Sequence, residues 1–271
     1  MDNGYYLYAI GRIKTDYCIG NIGETMEQGH ALTFIENEQL CAICSLVPLT
    51  DFGPEPLARN LRNIDWLEKA ARNHDRIIRR ISAAMTVVPV RFGTVFFTSD
   101  NVLNFLSQNE ERLNTLLASL DGAWEMVVTL EFDDDKLVKT LGSSDEEARS
   151  LMARIASSGE GAAYLFQKKL ESLEKVLLDS YAQEQIETFT TAVRTLSSKV
   201  TSKQIARHPH LKSSRYASIA CLVPQGDLES FERRIDSLSA LTKTTGLTVR
   251  TTGPWPPYSF ASLQEVALRG N

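Results

Sequence analysis

The stretch Gly253-Pro254-Trp255-Pro256-Pro257-Tyr258-Ser259-Phe260 restricts the fold of this chain more than any other. Its three prolines fix φ and remove backbone donors, so the segment can form neither a helix nor a central strand. It reads as a stiff, extended strap entered from a strand-like run, Leu247 to Thr252. Trp255, Tyr258 and Phe260 are expected to dock on a folded body. They either cover the sheet of their own domain or anchor a partner. The strap holds no nucleophile–base pair and no metal cluster, so it points to packing or recognition.

The 271 residues exceed a usual single domain, and two domains are expected, 1–121 and 122–271. A net charge of −5 argues against a nucleic-acid partner, which needs a concentrated basic face. No apolar run reaches the roughly 18–20 residues of a membrane span, so no lipid membrane is expected as partner. The N-terminus shows no secretory pattern, and a cytoplasmic location is expected. There Cys18, Cys41, Cys44 and Cys221 should be reduced thiols. Cys41 and Cys44 have the spacing of a metal or redox pair. They sit, however, in a strand-like run with no second pair to complete a zinc site. Buried, inert cysteines are the expectation.

In the first half, Tyr5–Gly11, Ala31–Glu36 and Gln39–Val47 read as strands, with Asn37-Glu38 as a hairpin turn. The polar stretch from Lys14 to Gly29 reads as loop. Ile64 to Met85 has helical periodicity, and Thr86 to Phe97 is β-rich, with Pro89 and Gly93 marking an edge or bulge. Ser99 is a candidate N-cap for the next helix, and Glu110–Leu120 forms another that stops at Asp121-Gly122.

The second half starts with a strand, Trp124–Phe132. A short helix opens at Asp133–Asp135, and Ser144-Asp145-Glu146-Glu147 caps the next. The longest helical signal covers 162–206. Phe166, Leu170, Leu173 and Leu177 form one stripe; Ile186, Phe189, Val193, Leu196 and Val200 form a second. Nine residues separate Leu177 from Ile186, which breaks the register, so two helices or one kinked helix are expected. A strand at Arg215–Val223, a helix from Asp227 to Thr244 and the strand Leu247–Thr252 complete the half. The fold class is α+β: an N-terminal mixed α/β domain, then a C-terminal ferredoxin-like domain with an enlarged helical insertion. One strand of that ferredoxin-like set is missing from the pattern. Ala42-Ile43-Cys44-Ser45-Leu46-Val47-Pro48 is faintly echoed by Ile219-Ala220-Cys221-Leu222-Val223-Pro224.

No constellation of catalytic type emerges, and the chain is not expected to be an enzyme. His74 and Asp75 are adjacent on a helix and point about 100° apart, so they do not make a dyad; Asp75 with Arg79 four residues on suits an ion pair. Arg91 stands among apolar neighbours. An internal carboxylate or carbonyl acceptor is favoured for it, and a partner's carboxylate is the alternative. His208-Pro209-His210 is a poor metal site, Asp133–Asp135 lacks the rest of a Ca²⁺ loop, and Gly20–Gly23 has no Lys-Ser/Thr after it. No cofactor is expected.

Four motifs occur in order: Tyr5-Tyr6-Leu7-Tyr8-Ala9-Ile10, His74-Asp75, Val88-Pro89-Val90-Arg91-Phe92-Gly93-Thr94, and the closing strap. With this set the chain resembles the gas-vesicle accessory proteins of the F/L type over nearly its whole length. The motifs do not separate F-type from L-type. The resemblance implies an accessory or minor structural protein that binds the small hydrophobic major shell protein and limits its aggregation during assembly. Other accessory proteins of the vesicle are implied partners, and the gas-facing side of the shell is the implied location. An apolar face that must be kept from aggregating needs a cover. The helical stripe, with Phe166, Leu173, Phe189 and Leu196, is the candidate for that cover. The rival class is a small-molecule sensor binding ligand between ferredoxin-like domains, which is analogy of fold alone.

Overall fold

The computed structural model describes residues 3–13, 25–26, 31–207, 214–242 and 246–261. Most of the Lys14–Gly29 loop, Cys18 and His208-Pro209-His210 lie outside them. The chain divides into two compact units: residues 1–125 with 254–271, and residues 126–253. The division falls inside two strands, and the strap from Pro254 on groups with the first unit, although its residues up to Trp255 finish the strand Leu247–Trp255. The strap was expected to belong to the C-terminal domain.

The first unit is built on a sheet of β1 (Asn3–Arg12), β2 (Leu32–Glu36), β3 (Leu40–Pro48), β4 (Val87–Pro89) and β5 (Val95–Phe96). Strand order is β2-β3-β1-β4, with β5 also on β1. The β2–β3 hairpin is closed by Asn37, whose side-chain oxygen accepts from the amides of Gln39 and Leu40 at 3.1 and 2.7 Å. Two short helices, α1 (Leu49–Phe52) and α2 (Pro54–Asn60), lead into α3 (Ile64–Ala84). Asn63 caps α3 by accepting from the Trp66 amide. Ile77, Ile78 and Ile81 of α3 meet Tyr6, Tyr8, Cys41 and Ile43 of the sheet in the core. Then follow α4 (Ser99–Gln108) and α5 (Glu110–Leu120). The cap of α4 is Thr98, not Ser99: its hydroxyl accepts from the Asn101 amide. Cys41 and Cys44 are both fully buried, because β3 is covered along nearly its whole length.

The second unit has a sheet of β6 (Ala123–Asp133), β7 (Lys199–Arg207), β8 (Ser214–Pro224) and β9 (Leu247–Trp255) in the order β7-β8-β6-β9. Between β6 and β7 come α6 (Asp134–Ser144), α7 (Glu146–Ser157) and α8 (Glu160–Arg194); α9 (Leu228–Thr242) precedes β9. Asp133 and Asp145 cap α6 and α7. Ser144, expected in a capping box, instead ends α6 with its hydroxyl on the carbonyls of Thr140 and Leu141.

Two expectations for residues 162–206 are corrected. The helix ends at Arg194, and Lys199–Arg207 is β7, the strand missing from the sequence pattern. Its polar sequence suits a sheet edge, where exposed Lys and Thr discourage further pairing. The helix is also a single one. Nine residues turn an α-helix through about 180°, so the two stripes lie on opposite sides of α8. Phe166, Leu170 and Leu173 pack on Ala148 and Leu151 of α7, whereas Ala182, Ile186, Phe189 and Val193 join the core under the sheet. The break in register thus records a change of packing target.

Apart from β5, each sheet has, in chain order, a first strand, a hairpin and a last strand, arranged hairpin-first-last: β2-β3-β1-β4 and β7-β8-β6-β9. The sequence echo falls on β3 and β8, the second hairpin strand in both. β6, helices, β7, β8, α9 and β9 follow the β-α-β-β-α-β order of ferredoxin-like folds.

Candidate functional site

The opening tyrosines, His74 and the Val88–Thr94 segment converge in the first unit. Tyr6 and His74 are buried, His74 being 5% exposed. The Gly93 amide donates to the Tyr6 hydroxyl at 3.0 Å, and that hydroxyl lies 3.0 Å from His74 Nδ1. His74 Nε2 lies 3.2 Å from the Val90 carbonyl. A carbonyl only accepts, so Nε2 carries the imidazole proton, and Nδ1 accepts from Tyr6. Burial pushes the imidazole pKa down to about 4, and the ring is neutral. Burial likewise raises the Tyr6 phenol far above its ordinary value. Tyr8 extends the network, accepting from the Met26 amide at 3.0 Å and facing Ser45 Oγ at 2.7 Å. Phe52, Trp66 and Phe92 complete an aromatic cage around Tyr6 and His74.

Asp75, one residue on, serves a different surface. Its Oδ2 accepts from Arg79 Nε at 2.6 Å, as the i, i+4 spacing suggests. Its Oδ1 accepts from the Tyr258 hydroxyl at 2.9 Å. The Arg79 guanidinium lies over the Trp255 ring, 3.7 Å from the centroid. Pro256 and Pro257 are buried, and two tight turns bend the strap, from the Tyr258 amide to the Pro256 carbonyl and from Phe260 to Pro257. Ser259 donates both its amide and its hydroxyl, each at 2.7 Å, to the carboxylate of Glu125. Glu125 is 4% exposed.

α3 therefore holds the inner cluster through His74 and the strap through Asp75 and Arg79. Of the residues singled out from sequence, Trp255 and Tyr258 belong to this strap seat, and Phe260 is half-buried at its end. Arg91 is exposed, and among the described residues its guanidinium has no hydrogen bond or ion pair, so the internal acceptor expected for it is not found among them. Phe189 is in the core of the second unit, with Leu196 packed against it, and Phe166 and Leu173 are half-buried against α7. These four do not form one open face.

Sequence reasoning missed Glu125. In β6 the side chains of Met126, Val128, Leu130 and Phe132 alternate into the core, so Glu125 has the parity of a solvent-facing position. Its buried carboxylate is taken up by Ser259. Among the described residues no group of three or more His, Cys, Asp or Glu side chains could hold a metal ion, and no described helix is long and apolar enough to cross a membrane.

The family described as "Gas vesicle synthesis protein GvpL/GvpF" matches residues 4–262. This chain belongs to that family. Gas vesicle protein L2 of Halobacterium salinarum is 28% identical over 206 residues, 73% of each chain. Gas vesicle protein L of Streptomyces sp. strain CB03234 is 28% identical over 243 residues, 88% of this chain and 85% of the relative. The crystal structure of gas vesicle protein GvpF from Anabaena sp. PCC7120 superposes with a TM-score of 0.70 at 16% identity, covering 97% of this chain and 98% of that one. The mixed helix-and-sheet fold is therefore that of solved gas vesicle proteins. Membership of the GvpL/GvpF family gives the chain an accessory role in gas vesicles, and the inner cluster and strap seat are built from the motifs that carried the resemblance.

Proposed function

We propose that this protein binds the major shell protein of gas vesicles, keeps its apolar surface from aggregating, and assists assembly of the shell. Other accessory proteins of the vesicle are further partners, and the protein acts at the vesicle, on the gas-facing side of the shell. The observation that carries the reading is the family match across residues 4–262. The physical logic supports it: a subunit with a strongly apolar face needs a soluble partner until it is incorporated.

Leu173 and Phe189 are unsuitable for locating the interface, because Phe189 is core and Leu173 is half-buried. The experiment is co-expression of the tagged full chain with the major shell protein, followed by pull-down. Recovery of shell protein with the tag is expected. Failure to recover it, with both proteins folded, overturns the reading.

A further inference from the structure

A sheet edge is a row of backbone amides and carbonyls open to another chain, and folded proteins blunt such edges with charges, prolines, register breaks or very short strands. Three of the four edges described here are blunted. β7 carries Lys199 and slips register between Lys203 and Ala206. β9 carries Arg250 and ends in Pro254-Trp255. On the far side of β1, β4 and β5 are three and two residues long, with a gap between Pro89 and Val95.

The exception is β2. Its sequence, Leu32-Thr33-Phe34-Ile35-Glu36, has no proline, lysine or arginine, and it pairs with β3 over all five residues without a register shift. No described strand lies on its outer side.

The register fixes which backbone groups face outward. The Asn37 amide donates to the Leu40 carbonyl at 3.0 Å, so Asn37 and Leu40 are a hydrogen-bonded pair. Hydrogen-bonded and non-hydrogen-bonded pairs alternate along an antiparallel ladder. Thr33 and Ile35 therefore turn their amides and carbonyls toward Cys44 and Ala42, and those of Leu32, Phe34 and Glu36 point away from β3. The other side of β3 agrees. The Ile13 amide donates to the Gln39 carbonyl, which turns Gln39 and Cys41 toward β1 and leaves Leu40 and Ala42 for β2.

A second β2 fits this edge in antiparallel orientation about a two-fold axis through Phe34. Leu32 then meets the partner's Glu36, and Phe34 meets the partner's Phe34, so every outward amide and carbonyl of the strand has a mate. Phe34, 36% exposed, gains an aromatic cross-strand neighbour, and Thr33 faces the partner's Ile35. Glu36 is the only charge in the strand and stands opposite an aliphatic side chain. An axis through Glu36 would instead set two carboxylates against each other. The strand is thus complementary to itself in backbone pattern, side chains and charge, which favours a second copy of this chain over an unrelated strand.

We infer that this protein self-associates by antiparallel pairing of β2 with β2 of a second copy, joining the two first-unit sheets into one. A contact built on one pair of five-residue strands is small, so the dimer is reversible.

The test is sedimentation-velocity ultracentrifugation of the full chain from roughly 1 to 300 µM. Wild type passes from monomer to dimer across that range, and backbone hydrogen exchange in Leu32–Glu36 slows as dimer forms. Phe34→Lys and Phe34→Glu each place like charges opposite one another at the axis and raise the dissociation constant about tenfold or more. Mixing the two variants in equal amounts restores the dimer, because opposite charges then meet. A wild type that stays monomeric throughout overturns the pairing, as does undiminished dimer in both variants. Folded variants that dissociate but do not recover on mixing overturn it too. Should a variant unfold, wild-type exchange decides: protection of Leu32–Glu36 that is equal in monomer and dimer overturns the inference. Protection that arises in a monomeric chain only on adding shell protein also overturns it and gives the edge to that partner instead.

Discussion

Tyr258 donates its hydroxyl to Asp75 at 2.9 Å across 183 positions of sequence, and this bond marks where the proline-rich strap meets α3. The carboxylate that receives it also holds Arg79, and Arg79 in turn covers Trp255. The strap is thus fixed by a small charged and aromatic relay on one side and by buried Glu125 on the other.

The two sides differ in strength. Tyr258, Asp75 and Arg79 are more than a third exposed, where hydrogen bonds and ion pairs are screened by water. Tyr258→Phe should therefore cost no more than about 1 kcal/mol. Glu125 is desolvated, and Glu125→Ala removes the charged acceptor of both the amide and the hydroxyl of Ser259. That variant should lose about 3 kcal/mol. Denaturant titration of the two variants checks the order; equal losses would place the seat elsewhere.

The Tyr6 hydroxyl satisfies the half-buried Gly93 amide and the buried His74 Nδ1. Tyr6→Phe keeps the ring and leaves both unpaired, at a cost of about 2–3 kcal/mol. Chemical denaturation monitored by far-UV circular dichroism reads this directly. A loss under about 0.5 kcal/mol would show that the network is not the clamp described.

His74 gives the fold a defined acid sensitivity. Its folded-state pKa of about 4 lies below the unfolded value of 6.5, so the folded state binds the proton less readily. The stabilisation is complete above about pH 6.5 and is lost as pH falls toward about 4, for a total of roughly 3 kcal/mol. Denaturation midpoints measured from about pH 7.5 down to about pH 5 should fall for the wild type. His74→Asn should show a shallower fall over the same range. Identical slopes would contradict the buried neutral imidazole.

The split use of α8 is equally open to test. Phe189→Ala empties a core position that is 1% exposed and should cost about 3–5 kcal/mol. Leu165→Ala, on the exposed side, should stay within about 0.5 kcal/mol of wild type. Thermal unfolding of both variants decides whether the second stripe is core or contact face.

Much of the fold was legible because local signals agree with the packing. Asp133 caps the helix expected to open there, and the alternation of Val128, Leu130 and Phe132 marks β6. β7 was not legible, because an edge strand needs little apolar patterning and its polar sequence continues that of α8. The direction of α8's stripes was hidden for a related reason: periodicity records that a side is buried, not what buries it. The site was half legible. Asp75–Arg79 follows from helix geometry, and the strap from its prolines. Their meeting through Tyr258, the burial of Glu125 and the pairing of His74 with Tyr6 depend on long-range closure, which spacing along the chain does not encode.

The most direct test of the account is a sedimentation assay of the major shell protein with increasing amounts of the full-length chain. The account predicts that shell protein moves from pellet to supernatant in proportion to added chain and elutes with it. Shell protein that pellets unchanged at every ratio, while the chain itself remains folded, would contradict it.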